Sequence, residues 1–322
     1  MAIYYTGDRK NLGFAWSGTG SWRSGLLHGS SRAIIRPLLG VHGMIPHGPW
    51  PYALLDTAAD RLVGLPSGVL RKTRVSRSGI VSYMFRAQDV NDNPDSAVLF
   101  LHGGAFLVGG PGTHKRAAGH IALSTGADVF VPRYTEVNKK TIPEIIAEAV
   151  DAYEELLLNY DSISILGDSA GGFLAFALLN AIGELGLKKP RSVTAFSPLA
   201  SLDPREKIGA FDGRKDPMFP TGALWGLYRI ARRNGTERED LTVQTAGLKA
   251  VSDVPVFIIA SANEYLTSDS KWLASQVGNA RLALVPHMLH DFPVLCELSP
   301  EGMRALGDAG DFILENSLKI GC

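Results

Sequence analysis

Apolar and polar positions alternate in two different rhythms, which change near residue 65. Before that point, short apolar pieces such as AIIRPLLG and YALLDTAADRLVGL are interrupted by Gly, Pro, Trp and His. This predicts short helices and loops over 1–65, with no separate domain. Residues 70–87, LRKTRVSRSGIVSYMFRA, hold two β-branched runs that meet at Ser78-Gly79, the pattern of a hairpin. QDVNDNPDS predicts a polar turn. A regular series follows. Val98–Leu101 is a short, unbroken apolar run, as expected of a strand buried on both faces, and Asp128–Val131 is another. Thr141-Ile142-Pro143-Glu144 has the capping-box pattern with an early proline. It opens a helix with Ile145, Ile146, Val150, Tyr153 and Leu157 on one face. Strand SISIL, helix AGGFLAFALLNAIGEL and strands SVTAF, VPVFIIA and ARLALV complete the series. Strands alternating with helices imply an α/β fold, a parallel sheet with right-handed crossovers. Residues 200–250 are too long for one crossover and hold Phe211, Met218, Phe219, Trp225 and Tyr228. They predict a helical insertion over the sheet.

Composition narrows the function classes. The chain has 322 residues, 45% of them hydrophobic, enough for a large core. Lys+Arg and Asp+Glu are both 32, so no basic excess points to nucleic acid or to an anionic membrane. Asp8, Arg9 and Lys10 interrupt the N-terminus before any signal-peptide core, and no stretch is long and apolar enough for a membrane span. The two cysteines, Cys296 and the final Cys322, do not suggest a disulfide framework. The expectation is a cytoplasmic chain.

Chemistry-bearing residues fall where the strands end. In open α/β sheets, ligands bind beyond the carboxyl ends of the strands. Ser169 follows SISIL, Glu264 follows VPVFIIA, His290 follows ARLALV, and His102-Gly103-Gly104-Ala105 follows the strand of Val98–Leu101. Gly167-Asp168-Ser169-Ala170-Gly171 is a G-x-S-x-G between a strand and a helix. In a nucleophile elbow the turn is strained, and glycines on either side admit the approaching helix. Ser169 needs a base to take its proton. His287 and His290, in PHMLHDF, are both candidates. Ala170 N–H is placed to stabilise an oxyanion. The remaining histidines lack ligand spacing, so neither a metal nor a cofactor is expected. The aromatic residues, Trp16, Trp22 and Trp50 among them, suggest a cap over an acyl pocket.

Over about residues 96–295 the chain resembles the hormone-sensitive-lipase family of α/β-hydrolase esterases. The resemblance rests on the HGG loop, GDSAGG, Ser197-Pro198, and Met288-Leu289-His290-Asp291-Phe292, which matches the family's Gly-Met-x-His-x-Phe-like stretch. It implies Ser169 as nucleophile and His290 as base. It registers Glu264 on the family's acid, with Asp269 as the lesser candidate, and it adds Gly103 and Gly104 to Ala170 as oxyanion donors. Asp168 and Asp291 are then structural. Ala105 stands where the family often has a third glycine, which is compatible with a negative φ. Pro132-Arg133-Tyr134-Thr135-Glu136-Val137 departs from the family's Asp-Tyr-Arg-Leu-Ala-Pro-Glu, so the loop bordering the pocket is unusual. The implied organisation is 1–65 as N-terminal cap helices and loops, and 66–322 as catalytic domain with a cap insertion at about 200–250. The implied reaction is hydrolysis of short- to medium-chain acyl esters of small molecules through an acyl-serine. Acyl transfer, amide or lactone hydrolysis and a non-catalytic receptor stay open. Assembly as a homodimer is compatible with this reading.

Overall fold

Eight strands form one sheet in the order β1-β2-β4-β3-β5-β6-β7-β8. They are β1 (Val69–Val75), β2 (Val81–Ala87), β3 (Ser96–Leu101), β4 (Asp128–Pro132), β5 (Ser162–Asp168), β6 (Val193–Phe196), β7 (Val256–Ser261) and β8 (Ala280–Val285). The structure is a computed structural model and describes residues 20–88 and 95–317. The first nineteen residues with Trp16, most of the turn after β2, and the last five residues with Cys322 lie outside the described residues.

β1 and β2 form the expected hairpin, with Val75 opposite Val81. β2 joins β4 antiparallel, and every later pair is parallel. The unbroken apolar runs follow from burial on both faces. Leu99 and Leu101 face a core shared with Ile145, Tyr153, Phe173 and Leu178. Their neighbours Val98 and Phe100 face Ala118, Ile121, Phe312 and Ile313 on the other side. With successive side chains pointing to opposite faces, a polar residue here would enter one core or the other.

The helices are α1 (Trp22–Ser30), α2 (Arg36–Met44), α3 (Tyr52–Leu62), α4 (Pro111–Thr125), α5 (Ile142–Leu157), α6 (Ser169–Leu185), α7 (Arg205–Ala210), α8 (Thr221–Arg233), α9 (Thr267–Gln276) and α10 (Pro300–Ser317). One π turn, Ser31–Ile35, joins α1 to α2. At the start of α5, Glu144 Oε2 accepts the Thr141 amide at 2.8 Å and its hydroxyl at 2.7 Å, as the capping pattern predicts. Residues 200–250 carry α7, α8 and two 3-10 turns. α2 and α8 cross with almost no space between their backbones. A Cβ on Gly43 would fall 2.3 Å from the Gly222 carbonyl.

Candidate active site

The elbow is built by close backbone approach. Ser169 begins α6 at φ +51°, a left-handed conformation that a residue with a Cβ rarely adopts. A Cβ on Gly171 would lie 1.9 Å from the Leu101 carbonyl oxygen, and one on Gly167 would lie 2.3 Å from the carbonyl of Gly171. Only glycine at both positions lets α6 start this close to β3 and β5. The serine oxygen stands at the N-terminal end of a long helix, whose dipole favours negative charge there.

His290, in the loop after β8, brings Nε2 to 2.8 Å from Ser169 Oγ. Its Nδ1 is hydrogen-bonded to Glu264 Oε2. Glu264 follows β7 and is fully buried. Its Oε1 accepts the Ser197 hydroxyl at 2.7 Å and the Ser261 amide at 2.9 Å. Both carboxylate oxygens are therefore held, and the imidazole has one orientation and one tautomer to present. Asp291 Oδ2 stands 2.9 Å from the same Nε2. Burial opposes charge on His290, but the carboxylates of Asp291 and Glu264 outweigh it and hold the imidazole well above its usual pKa. Burial in turn pushes the Asp291 carboxyl up to about 7, against the pull of His290.

The loop after β3 corrects two expectations. Gly103 N–H is already engaged, donating to Asp168 Oδ1 at 2.9 Å and lying 3.3 Å from His114 Nε2. It cannot also serve an oxyanion. Ala105 has φ +55°, not the negative φ expected of an alanine in this place. The amides of Gly104 and Ala105 bond no acceptor among the described residues, and both residues line the same cavity as Ser169. Gly104 is at φ +114°, and a Cβ there would lie 1.9 Å from the Val108 carbonyl oxygen, so this turn requires glycine. Ala170 N–H belongs to the first turn of α6, where helical amides have no internal partner.

A family model described as the alpha/beta hydrolase fold matches residues 98–294. The chain belongs to the α/β-hydrolase family. Esterase LipU of Mycobacterium tuberculosis is 32% identical to this hydrolase over 295 residues, 87% of this chain and 98% of that protein. Carboxylesterase/phospholipase LipF of the same bacterium is 28% identical over 299 residues, 88% of this chain and 79% of that protein. The solved structure of an esterase from the bacterial hormone-sensitive lipase family has a TM-score of 0.75 at 22% identity, covering 93% of this chain and 99% of the other. These matches agree with the resemblance read from the motifs.

The cavity of the hydrolase holds about 120 Å³ and is walled by apolar side chains. Leu39, His42 and Tyr52 come from α2 and α3, Leu224 and Leu227 from α8, and Leu107 and Leu199 from loops at the strand ends. His42 Nε2 and Tyr52 Oη lie 2.9 Å apart, so these two polar groups largely satisfy each other. Burial keeps His42 below its usual pKa and hence neutral. Of the suspected cap aromatics, Phe219 lines the cavity and packs edge-on against His290, with centroids 4.8 Å apart. Trp22 is solvent-exposed, and Trp50 and Trp225 are not in the wall.

Other acids in the hydrolase hold loops. Asp269 accepts the Ala200 amide at 2.7 Å and pairs with Lys207, which anchors the start of the insertion. Asp168 braces Gly103 and His114. His287 is an exposed loop residue. The unusual 132–137 loop does not line the cavity. Tyr134 instead stacks on His102 with centroids 4.1 Å apart and donates to the His102 carbonyl, bracing the glycine loop from behind. Two residues missed in the sequence are Ser197, which had appeared only as part of a Ser-Pro match, and Asp216. Buried Asp216 accepts the Met218, Phe219 and Tyr265 amides at 2.7, 2.8 and 3.0 Å, tying the insertion to the loop that carries Glu264. An Asp three residues before an aromatic is too common a pattern to have revealed this. Among the described residues, no group of three His, Cys, Asp or Glu could hold a metal ion.

Proposed function

We propose that this hydrolase is a serine carboxylesterase acting on small-molecule esters with short acyl chains, with α1–α3 and the 205–233 segment as its cap. The observation that carries the reading is the Ser169–His290–Glu264 row lying against an apolar cavity of about 120 Å³. Ser169 Oγ attacks the ester carbonyl carbon while His290 Nε2 takes its proton. The carbonyl oxygen gains charge, stabilised by the amides of Gly104, Ala105 and Ala170. His290 returns the proton to the leaving oxygen, so an alcohol departs and acyl-Ser169 remains. Water then attacks the acyl carbon and gives its proton to His290. Collapse frees the carboxylic acid and restores the Ser169 hydroxyl. Glu264 fixes the imidazole through Nδ1 and balances the charge it gains.

Chain length follows from volume. An engineered apolar cavity of about 150 Å³ accommodates one benzene, so the acyl group here is about that size or smaller. A hydrogen-bonded Ser169–His290 pair favours catalysis over a receptor that has lost its chemistry. The named esterase relatives support hydrolysis of esters. Cys296, a buried free thiol, supports a cytoplasmic location.

The test is turnover of p-nitrophenyl esters from acetate to palmitate. Activity should peak at acetate to butyrate. Ser169→Ala should lose about 10⁴-fold or more in kcat, and Glu264→Gln a comparable factor, since removing the orienting charge of such a triad costs about 10⁴. A folded wild-type protein with no turnover on any of these esters overturns the reading.

A further inference from the structure

The surface of α1 and α2 exposes more large apolar side chains than the sheet or the helices packed on it. The chain from Trp22 to Met44 is one helical run with a π turn inside it. Trp22, Leu26, Ile34, Leu38, Met44 and Ile45 recur along it mostly at intervals of three or four residues and their multiples, and each is more than half exposed. Such spacing puts the side chains in a stripe along one side of a helix. The neighbouring α3 also exposes Leu54, Leu55 and Leu62, with Val63 after it, whereas large exposed apolar residues on the sheet and on the helices packed against it occur singly or in pairs, as is ordinary for a protein surface. A helical stripe of this length, by contrast, marks a surface that meets something apolar.

Charge identifies what it meets. No Asp or Glu occurs between residues 20 and 55, while Arg23, Arg32 and Arg36 do. Arg23 and Arg32 are exposed, and neither forms an ion pair with a carboxylate among the described residues. Arg32 donates to the Arg214 carbonyl, and Arg36 is tied to the carbonyls of Gly213, Asp216 and Phe219. The carboxylate that touches α1, Glu301, is bound by Ser21 and Ser24 at the helix start. An exposed apolar stripe with a tryptophan, flanked by arginines and free of acids, has the make-up of a helix that lies flat in the interface of an anionic lipid layer. Among the described residues no helix is long and apolar enough to cross a membrane, so contact would be peripheral.

We propose that the outer face of α1–α2 docks this hydrolase on anionic lipid surfaces. The same helix has a second face with a different task. Leu39 and His42 of α2 line the cavity, while Leu38 and Met44 point to solvent. Docking sets the cavity wall directly against the lipid phase, and an ester partitioned into that phase reaches Ser169 by a short path. The docking itself does not depend on the reaction assigned to Ser169.

The test is flotation of the full chain with vesicles of phosphatidylglycerol and with vesicles of phosphatidylcholine alone. Trp22 emission is followed by difference against Trp22→Phe. The wild type should bind phosphatidylglycerol vesicles preferentially, lose binding at high salt, and shift Trp22 emission to the blue on binding. Leu26→Gln/Ile34→Gln/Leu38→Gln should weaken partitioning at least about tenfold, with unchanged circular dichroism and p-nitrophenyl butyrate turnover. Arg23→Glu/Arg32→Glu should abolish the preference for anionic vesicles. Failure of the folded wild type to bind either vesicle overturns the proposal, as does equal binding by the triple glutamine variant. So does Trp22 emission that is already blue without lipid: residues 1–19, or a second copy in a dimer that the glutamine variant dissociates, would then cover the face.

Discussion

His290 Nε2 faces two partners, Ser169 Oγ at 2.8 Å and Asp291 Oδ2 at 2.9 Å. The proposed mechanism requires the neutral imidazole, whose lone pair accepts the serine proton. Asp291 and Glu264 both favour the imidazolium, so deprotonation of His290 is displaced upward in pH. The acid limb of kcat/KM should therefore lie above the 6.5 usual for histidine. Asp291→Asn removes one of the two charges and should move that limb down by about 1 pH unit or more, as expected for loss of an opposite charge at this distance. A pH profile measured with p-nitrophenyl butyrate decides it. An unmoved limb would mean that Asp291 does not act on the imidazole. Asp291 was legible in the sequence only as a neighbour of the base. Its own φ of +53° turns it back toward Nε2, and nothing in an aspartate's identity announces such a conformation.

The elements most exposed to single substitutions are the crossing helices α2 and α8. Gly43 meets Gly222 and Gly226 across the crossing, and a methyl group at 43 has only backbone to displace. Gly43→Ala should cost about 1–3 kcal/mol, the usual range for overpacking, measured by thermal unfolding. Because both helices wall the cavity, it should also raise KM for butyrate esters more than it lowers kcat. The strands and main helices of the sheet domain were legible from apolar rhythm alone, since each is buried on a face its own period defines. The partnership of α2 with α8 was not. Their glycines are far apart in sequence, and a glycine on a helix reads as a weak helix former unless its neighbour across the crossing is known.

At the level of the molecule, the helices before β1, the glycine loop after β3 and the segment between β6 and β7 meet around Ser169 and Leu266, at the ends of β5 and β7. The cavity is a property of that junction, so changing one wall should change specificity without touching the reacting groups. Leu224 is buried in the wall. Leu224→Ala should shift the preferred acyl chain to longer esters in the p-nitrophenyl series, at a stability cost of about 2–5 kcal/mol. An unchanged chain-length profile would place the acyl group elsewhere.

The order of strands and helices, the elbow around Ser169 and the candidates at each strand end are all readable along the chain, because apolar period and glycine spacing are local signals. The contacts that bring these residues together are not local. Glu264 is held by Ser197, 67 positions away, and Ser169 meets His290, 121 positions away. Gly103 spends its amide on Asp168, while those of Gly104 and Ala105 bond no acceptor among the described residues. Which amide is free and which carboxylate faces the imidazole depend on backbone dihedrals and on contacts between distant segments. Those emerge only when the sheet brings the strand ends together and the helices before β1 and after β6 pack beside them.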